Sequence, residues 1–312
     1  MLKSLKIIFI GTSFIAEKYL KYLFKLKYKI IAIITKYDKL LDKKKKYSKI
    51  KILSKYYKIP ILQPKFLLDI YYKIFFLKPD IIIISSYGNI IPKKIFNIPK
   101  FGCINVHFSI LPRWRGSSPI QHAILYGDKK TGVTIIKINK YLDEGDIIFK
   151  SICIIKDKDN INNLYKKIIY IGIESLIISL NLIVKKKFLL EKQNNFYSTY
   201  AYKIKKKNAR IKWYLPAIFL KRFIKAFNLW PVCFFLIKKI YIKVFKIDVN
   251  FIKNNKYNIG EIISINNNGI NINTISGILI LKEIQFSGKN KVKVKKNLNN
   301  IYNIFILKNI IN

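Results

Sequence analysis

Arginine is scarce in this chain: of 60 basic residues only four are Arg, namely Arg113, Arg115, Arg210 and Arg222. Where Lys is accepted almost everywhere, a retained guanidinium points to a task that an ammonium cannot perform, and planar bidentate pairing is the usual one. Cysteine is scarce too. Cys103, Cys153 and Cys233 are scattered, odd in number and without a CxxC pair, and there are only two His. That argues against a disulfide framework or a zinc site and fits a reducing cytoplasm, so no metal is expected. The 20-residue stretch without charge, 262–281, is interrupted throughout by Asn and Gly, so no membrane span is expected. Lys3 and Lys6 before the apolar run 7–10 resemble a signal peptide. Gly11-Thr12-Ser13 and Glu17-Lys18 break that run too early, and a buried first strand is the better reading. Acidic residues number only 16, which leaves a formal net charge of +44. Such a balance favours polyanionic partners, although the crowding of Ile, Lys and Asn makes part of it compositional background.

At 312 residues, 51% of them hydrophobic, the chain has length for about two domains and apolar content for sizeable cores. The runs 7–10, 30–35 and 80–85 are short and continuously apolar, as strands covered on both faces are. Helical patterns at 14–26 and 66–77 lie between them, and the alternation gives a doubly wound α/β domain with a parallel sheet. Residues 38–49 form a charged interruption centred on Lys43, Lys44, Lys45 and Lys46. They read as a solvated loop or as a phosphate-contacting one. A long helix at 161–184 closes the first domain, and 185–200 reads as an irregular polar linker. Beyond about residue 205 come a helix at 215–227 and short β-prone runs at 240–247, 260–265, 269–275 and 278–284, the pattern of a small barrel. The expected organisation is therefore a first domain at 1–187, a linker at 188–204 and a second domain at 205–312.

Gly11-Thr12-Ser13 follows the first strand and opens a helix, where free N–H groups could meet an anion. Lacking the three-glycine fingerprint, it does not read as a nicotinamide site, and a tight turn is the plainer account. Residues 102–145 have another texture: five of the 12 Gly, both His and two of the four Arg lie there. Special backbone residues concentrated in a depleted chain mark a built site. Cys103–Val106 reads as a strand, so Asn105 and His107 share a face. They stand at the C-terminal end of a strand, where open α/β sheets place ligands. An amide and an imidazole are suitable donors to the oxyanion of acyl transfer to an amine, and a carboxylate such as Asp143 can handle the proton. No Ser or Cys is placed to form a covalent intermediate.

The run 102–121, with Asn105-Val106-His107 and Leu111-Pro112-Arg113-Trp114-Arg115-Gly116, resembles the signature of the methionyl-tRNA formyltransferases. Thr131-Gly132-Val133-Thr134-Ile135 and Leu142-Asp143-Glu144-Gly145-Asp146 match as well. So do 8–12, Tyr87-Gly88 with Ile91-Pro92, and Ala209-Arg210-Ile211-Lys212-Trp213. The stretch 222–231, ending in Trp230-Pro231, extends the likeness over nearly the whole chain. The resemblance implies a Rossmann-like formyltransferase domain that binds 10-formyltetrahydrofolate, followed by a smaller OB-like β-barrel that holds initiator methionyl-tRNA. It implies that Asn105, His107 and Asp143 are catalytic. Tyr87, Gly88, Ser109, Ile110, Leu111, Pro112, Gly145 and Asp146 would line the folate pocket. Lys43, Lys44, Lys45, Lys46 and Arg210 would contact tRNA, and a cytoplasmic monomer is expected. Three departures stand out: Phe108 replaces a small residue or Pro, Glu144 replaces a small residue, and the tRNA loop has no Arg. Two other readings share the residues: a formyltransferase acting on a small amine, and a decayed, non-catalytic RNA-binding protein.

Overall fold

The computed structural model describes residues 2–37, 48–252, 256–302 and 304–311. It divides into two compact units: Met1–Pro119 with Lys130–Ile154 and Tyr165–Tyr202, and Ile120–Lys129 with Ile155–Leu164 and Lys203–Asn312. The loop lysines Lys43, Lys44, Lys45 and Lys46 lie outside the described residues.

In the first unit the chain runs β1 (Ile7–Gly11), α1 (Phe14–Lys25), β2 (Ile30–Ile34), α2 (Lys49–Tyr56), β3 (Ile61–Leu62), α3 (Tyr71–Leu77), β4 (Ile81–Ser85), α4 (Lys93–Phe96), β5 (Cys103–His107) and β6 (Arg115–Gly116). After α5 (Pro119–Leu125), which belongs to the second unit from Ile120 on, the first unit continues with β7 (Lys130–Lys137), β8 (Ile147–Ile154), α6 (Ile161–Val184, its first turn in the second unit) and β9 (Tyr200–Ala201). The main sheet has the order β3-β2-β1-β4-β5-β7-β8. Ile7, Ile8, Phe9 and Ile10 are fully buried at its centre, as an all-apolar strand between parallel neighbours must be. The sheet is not parallel throughout, however. β5 and β7 pair antiparallel, as do β7 and β8. A loop of nine residues, 138–146, joins β7 to β8, too short for the crossover that parallel strands require. That loop carries Asp143.

Gly11 ends β1 where the backbone has no room for a side chain: a Cβ there would lie 2.6 Å from Ala16 Cβ and 2.8 Å from the Ser85 carbonyl. Ser13 caps α1, its Oγ accepting from the N–H groups of Ile15 (3.1 Å) and Ala16 (3.3 Å). α6 is long and apolar enough to cross a membrane by length and composition. Its Ile168, Leu176 and Leu180 are buried, and Ser175 Oγ donates to Ser151 Oγ on β8 at 2.7 Å. Gly172, in mid-helix, makes space for the buried Tyr19, whose hydroxyl would be 1.8 Å from a Cβ at that position. Burial pushes that phenol well above its usual range.

The second unit contains α7 (Ala217–Phe227), β10 (Phe234–Ile237), β11 (Ile240–Asn250), β12 (Ile262–Asn266), β13 (Gly269–Asn273), β14 (Ile278–Phe286), β15 (Lys291–Lys293) and α8 (Leu298–Tyr302). Its antiparallel sheet runs β10-β11-β14-β13-β12, with β15 added on β14. Both ends of that ladder are covered: Ile211 N–H donates to the Phe234 carbonyl at 2.7 Å, and Ile262 N–H to the Asn309 carbonyl at 3.0 Å. Such covering protects sheet edges from stray pairing.

The β10–β11 hairpin turns through Lys238 and Lys239 between the paired Ile237 and Ile240. Both turn residues have positive φ, 46° and 67°. A two-residue turn with that backbone is type I′ and favours Asn-Gly, whereas a residue with a Cβ is strained there. Replacing the pair by Asn-Gly (K238N/K239G) is expected to stabilise the protein by about 1 kcal/mol. A urea midpoint that stays put or falls would contradict this.

Candidate active site

β5 ends beside the β7–β8 loop, and three side chains meet there. Asn105 Nδ2 donates to Asp143 Oδ1 at 3.1 Å. The N–H of Gly116 donates to Asp143 Oδ2 at 2.8 Å. His107 Nδ1 faces the same Oδ2 at 3.5 Å, close enough for an ion pair whenever the ring is charged. On its other side His107 Nε2 lies 2.8 Å from the Trp114 carbonyl. A carbonyl oxygen only accepts, so Nε2 carries the proton. The imidazole is 5% exposed, and the hydrogen bond to the Trp114 carbonyl fixes its orientation.

The backbone that holds these groups is unusual. Asp143 has φ +52° and Trp114 φ +62°, and L residues adopt that region only where surrounding contacts impose it. Thr199 supplies some of those contacts, since its Oγ1 accepts from Trp114 N–H at 2.9 Å and its carbonyl from Arg115 N–H at 2.8 Å. β9 then pairs with β6, which carries Gly116.

Arg115 is 1% exposed and forks into three partners. Its Nη1 meets Glu144 Oε1 at 2.9 Å. Its Nε and Nη2 donate to Gln193 Oε1 at 3.1 and 2.9 Å, and Nη2 also donates to Asn195 Oδ1 at 2.8 Å. The charge that Glu144 brings close to the site is therefore paired. Arg113 lies over the Trp114 ring at 4.3 Å, a cation–π contact. Arg222 packs its guanidinium against Gly127, where a Cβ would be 2.4 Å from Cζ.

A cavity of about 450 Å³ opens in front of Asn105, His107 and Asp143, a size typical of small-molecule sites. Ile84, Ile90, Ile91, Ile136 and Ile138 give it an apolar wall, while Thr12, Ser13 and Lys36 border it with polar atoms. Tyr87, Gly88 and Gly145 are among its lining residues. Burial raises the Tyr87 phenol above its ordinary value, partly offset by a hydrogen bond with Asn89, so it stays neutral and able to donate. Lys36 Nζ lies 5.6 Å above its ring and donates to the Gly88 carbonyl at 3.4 Å.

Ser109, Ile110, Leu111, Pro112 and Asp146 are not among the lining residues. The 109–112 turn is held by Thr134, whose Oγ1 donates to the Ser109 carbonyl (2.7 Å) and accepts from Leu111 N–H (3.1 Å). Ser109 Oγ is likewise turned to the Arg113 carbonyl at 2.6 Å. Asp146 joins the ladder, its carbonyl accepting from Lys137 N–H at 2.9 Å. Phe108 lines the cavity yet is 7% exposed, its ring 6.1 Å from that of Tyr19. Thr199, Gln193 and Asn195 belong to the framework of the site and were not singled out from sequence. Their partners lie far along the chain, and no local pattern marks them.

Burial pushes the thiols of Cys103 and Cys233 up, which keeps them protonated and poor as nucleophiles. Among the described residues no group of three or more His, Cys, Asp or Glu could hold a metal ion. In the second unit Arg210 is exposed and shares a concave surface with Lys238, Lys239 and Tyr241.

Residues 5–179 match the family model described as formyl transferase, and residues 203–301 that described as formyl transferase, C-terminal domain. Similar curated proteins include the methionyl-tRNA formyltransferase of Buchnera aphidicola subsp. Acyrthosiphon pisum (strain Tuc7), 45% identical over 94% of this chain and 95% of that protein. That of Wigglesworthia glossinidia brevipalpis is 43% identical over 99% of this chain and 98% of its own. Among solved structures, the N-formyltransferase from Helicobacter canadensis, in complex with folinic acid and dTDP-3-aminofucose, aligns with TM-score 0.67 at 24% identity, over 89% of this chain and 98% of that one. HypX from Aquifex aeolicus in complex with tetrahydrofolic acid aligns with TM-score 0.65 at 15% identity. That alignment covers 96% of this chain and 47% of HypX, so the chain spans about half of HypX. At these identities both structures speak for the fold.

Proposed function

The chain belongs to the formyl transferase family and, within it, to the methionyl-tRNA formyltransferases, and from that premise we propose how its site performs the transfer. The formyl group of 10-formyltetrahydrofolate passes to the α-amino group of methionyl initiator tRNA in the cytoplasm. The observation that carries this reading is the meeting of Asn105, His107 and Asp143 at the wall of a single cavity.

The chemistry assigns each group a part. An α-amine has an ordinary pKa of about 8, so its nucleophilic form is available near neutrality with modest help. Its attack on the formyl carbon places negative charge on the formyl oxygen. Asn105 spends one amide hydrogen on Asp143 and has a second to donate to that oxygen. His107 Nε2 is occupied by the Trp114 carbonyl, so its contribution falls to the Nδ1 side. Asp143 takes the proton that the attacking nitrogen sheds, directly or through one water, and the departing folate nitrogen gains one. The apolar isoleucine wall excludes water and strengthens these charge interactions. Tyr87 and the Lys36 ammonium border the cavity where a folate can lie. The loop lysines Lys43, Lys44, Lys45 and Lys46 and the concave surface around Arg210 contact tRNA phosphates as point charges.

A basic enzyme holding acceptor-stem phosphates releases counterions on binding. The apparent KM for charged tRNA is therefore expected to rise at least about ten-fold between 50 and 200 mM salt, with little change in KM for the folate donor. A flat response for the tRNA would contradict the reading. The test of the acceptor is to offer the protein the formyl donor with either charged initiator tRNA or small amines such as an amino sugar nucleotide. Formylation of the small amines alone would favour a small-molecule formyltransferase.

A further inference from the structure

Gln193 lies in the stretch whose composition reads as a linker, yet its side-chain amide is engaged on both sides. Oε1 accepts from Arg115 Nε at 3.1 Å and from Nη2 at 2.9 Å. Nε2 donates to the carbonyls of Asp143 and Gly145, each at 2.8 Å. A terminal amide offers an acceptor and a two-hydrogen donor side by side, which this place requires. The two carbonyls flank Glu144, and Glu144 returns to Arg115 at 2.9 Å. The 143–145 turn is thus tied to one buried guanidinium by two routes.

The tie matters because Asp143 sits at φ +52°. A residue with a Cβ is strained there and leaves the region when nothing holds it. Rotation of that backbone would carry the carboxylate away from Asn105 Nδ2, Gly116 N–H and the His107 ring together. We infer that Gln193 is a positioning residue for formyl transfer: by clamping the carbonyls of Asp143 and Gly145 it holds the Asp143 carboxylate in register with Asn105 and His107. This rests on the catalytic roles proposed above for those three residues.

The discriminating variant is Gln193→Glu. It keeps the shape and the acceptor for Arg115, and it sets a carboxylate oxygen against two carbonyl oxygens in place of the NH2. Expected is a fall in kcat for charged tRNA of about ten- to a hundred-fold, with KM for donor and tRNA changed by less than about two-fold. If Gln193 acts through Asp143, its effect vanishes when Asp143 is already disabled. The Asp143→Asn/Gln193→Glu double variant should then be within about two-fold of Asp143→Asn alone. A kcat loss below about three-fold, or losses that multiply in the double variant, overturns the inference. A general loss of folded enzyme would multiply in this way, so thermal melts accompany each variant. Should Gln193→Glu not fold, Gln193→Met enters the same cycle with the same expectations. Wild-type protein inactive on charged tRNA overturns the functional reading and the positioning role with it. Active wild type with an unaffected Gln193→Glu overturns the positioning role alone.

Discussion

Asp143→Asn is expected to lower kcat for formyl transfer by about a thousand-fold, or ~4 kcal/mol of transition-state stabilisation, while KM for both substrates changes little. Two effects combine. Asn has no basic oxygen pair to receive the proton that the attacking amine must lose. The carboxylate also accepts on both oxygens, from Asn105 Nδ2 and from Gly116 N–H. An amide at 143 can accept on only one side, so whichever way it turns an N–H faces another N–H. The mismatch shifts Asn105, whose second hydrogen is assigned to the developing oxyanion. Steady-state kinetics with charged tRNA measure the effect. A loss smaller than about ten-fold would remove Asp143 from the chemistry.

The largest effect on stability is expected at Arg115. Arg115→Met leaves Glu144 Oε1, Gln193 Oε1 and Asn195 Oδ1 facing an apolar chain at a place where Arg115 is 1% exposed. Deleting the guanidinium leaves these acceptors short of a partner at a cost of about 2–3 kcal/mol, less than for a fully buried pair because Glu144 is 24% exposed and Asn195 is exposed. Arg115→Lys should recover only part of this, since an ammonium cannot span three acceptors arranged around a planar fork. Urea unfolding of the three proteins reads the differences directly. An Arg115→Met protein within about 1 kcal/mol of wild type would show that the hub contributes little.

The retained arginines show how far the sequence could be read. In a chain that uses Lys nearly everywhere, Arg115 holds three acceptors in fork geometry, Arg113 stacks on Trp114, and Arg222 lies flat against Gly127. The Arg115 fork is the planar task that a retained guanidinium suggests. Strand alternation put Asn105 and His107 on one face, and both line the cavity. Period and spacing do not join Asp143 to them; it enters as a carboxylate able to handle the proton, and the family resemblance implies its catalytic role. Its place depends on the antiparallel pairing of β7 with β8, which long-range contacts decide and the chain around Asp143 does not declare. Gln193 and Thr199 were illegible for a related reason. A polar stretch with no periodicity reads as a connection, and what it holds is decided by partners more than 70 residues away at Arg115 and Trp114. Phe108, the departure directly after His107, forms part of the cavity wall with Tyr19 nearby.

The most direct test follows a labelled formyl group. The protein is incubated with 10-formyltetrahydrofolate labelled in the formyl carbon and with initiator tRNA charged with methionine, and the aminoacyl ester is then cleaved by mild base. The proposed chemistry predicts label in N-formylmethionine with wild-type protein, and almost none with His107→Ala or Asp143→Asn. Label that remains on the folate with wild-type protein, or equal yields from all three proteins, would contradict it.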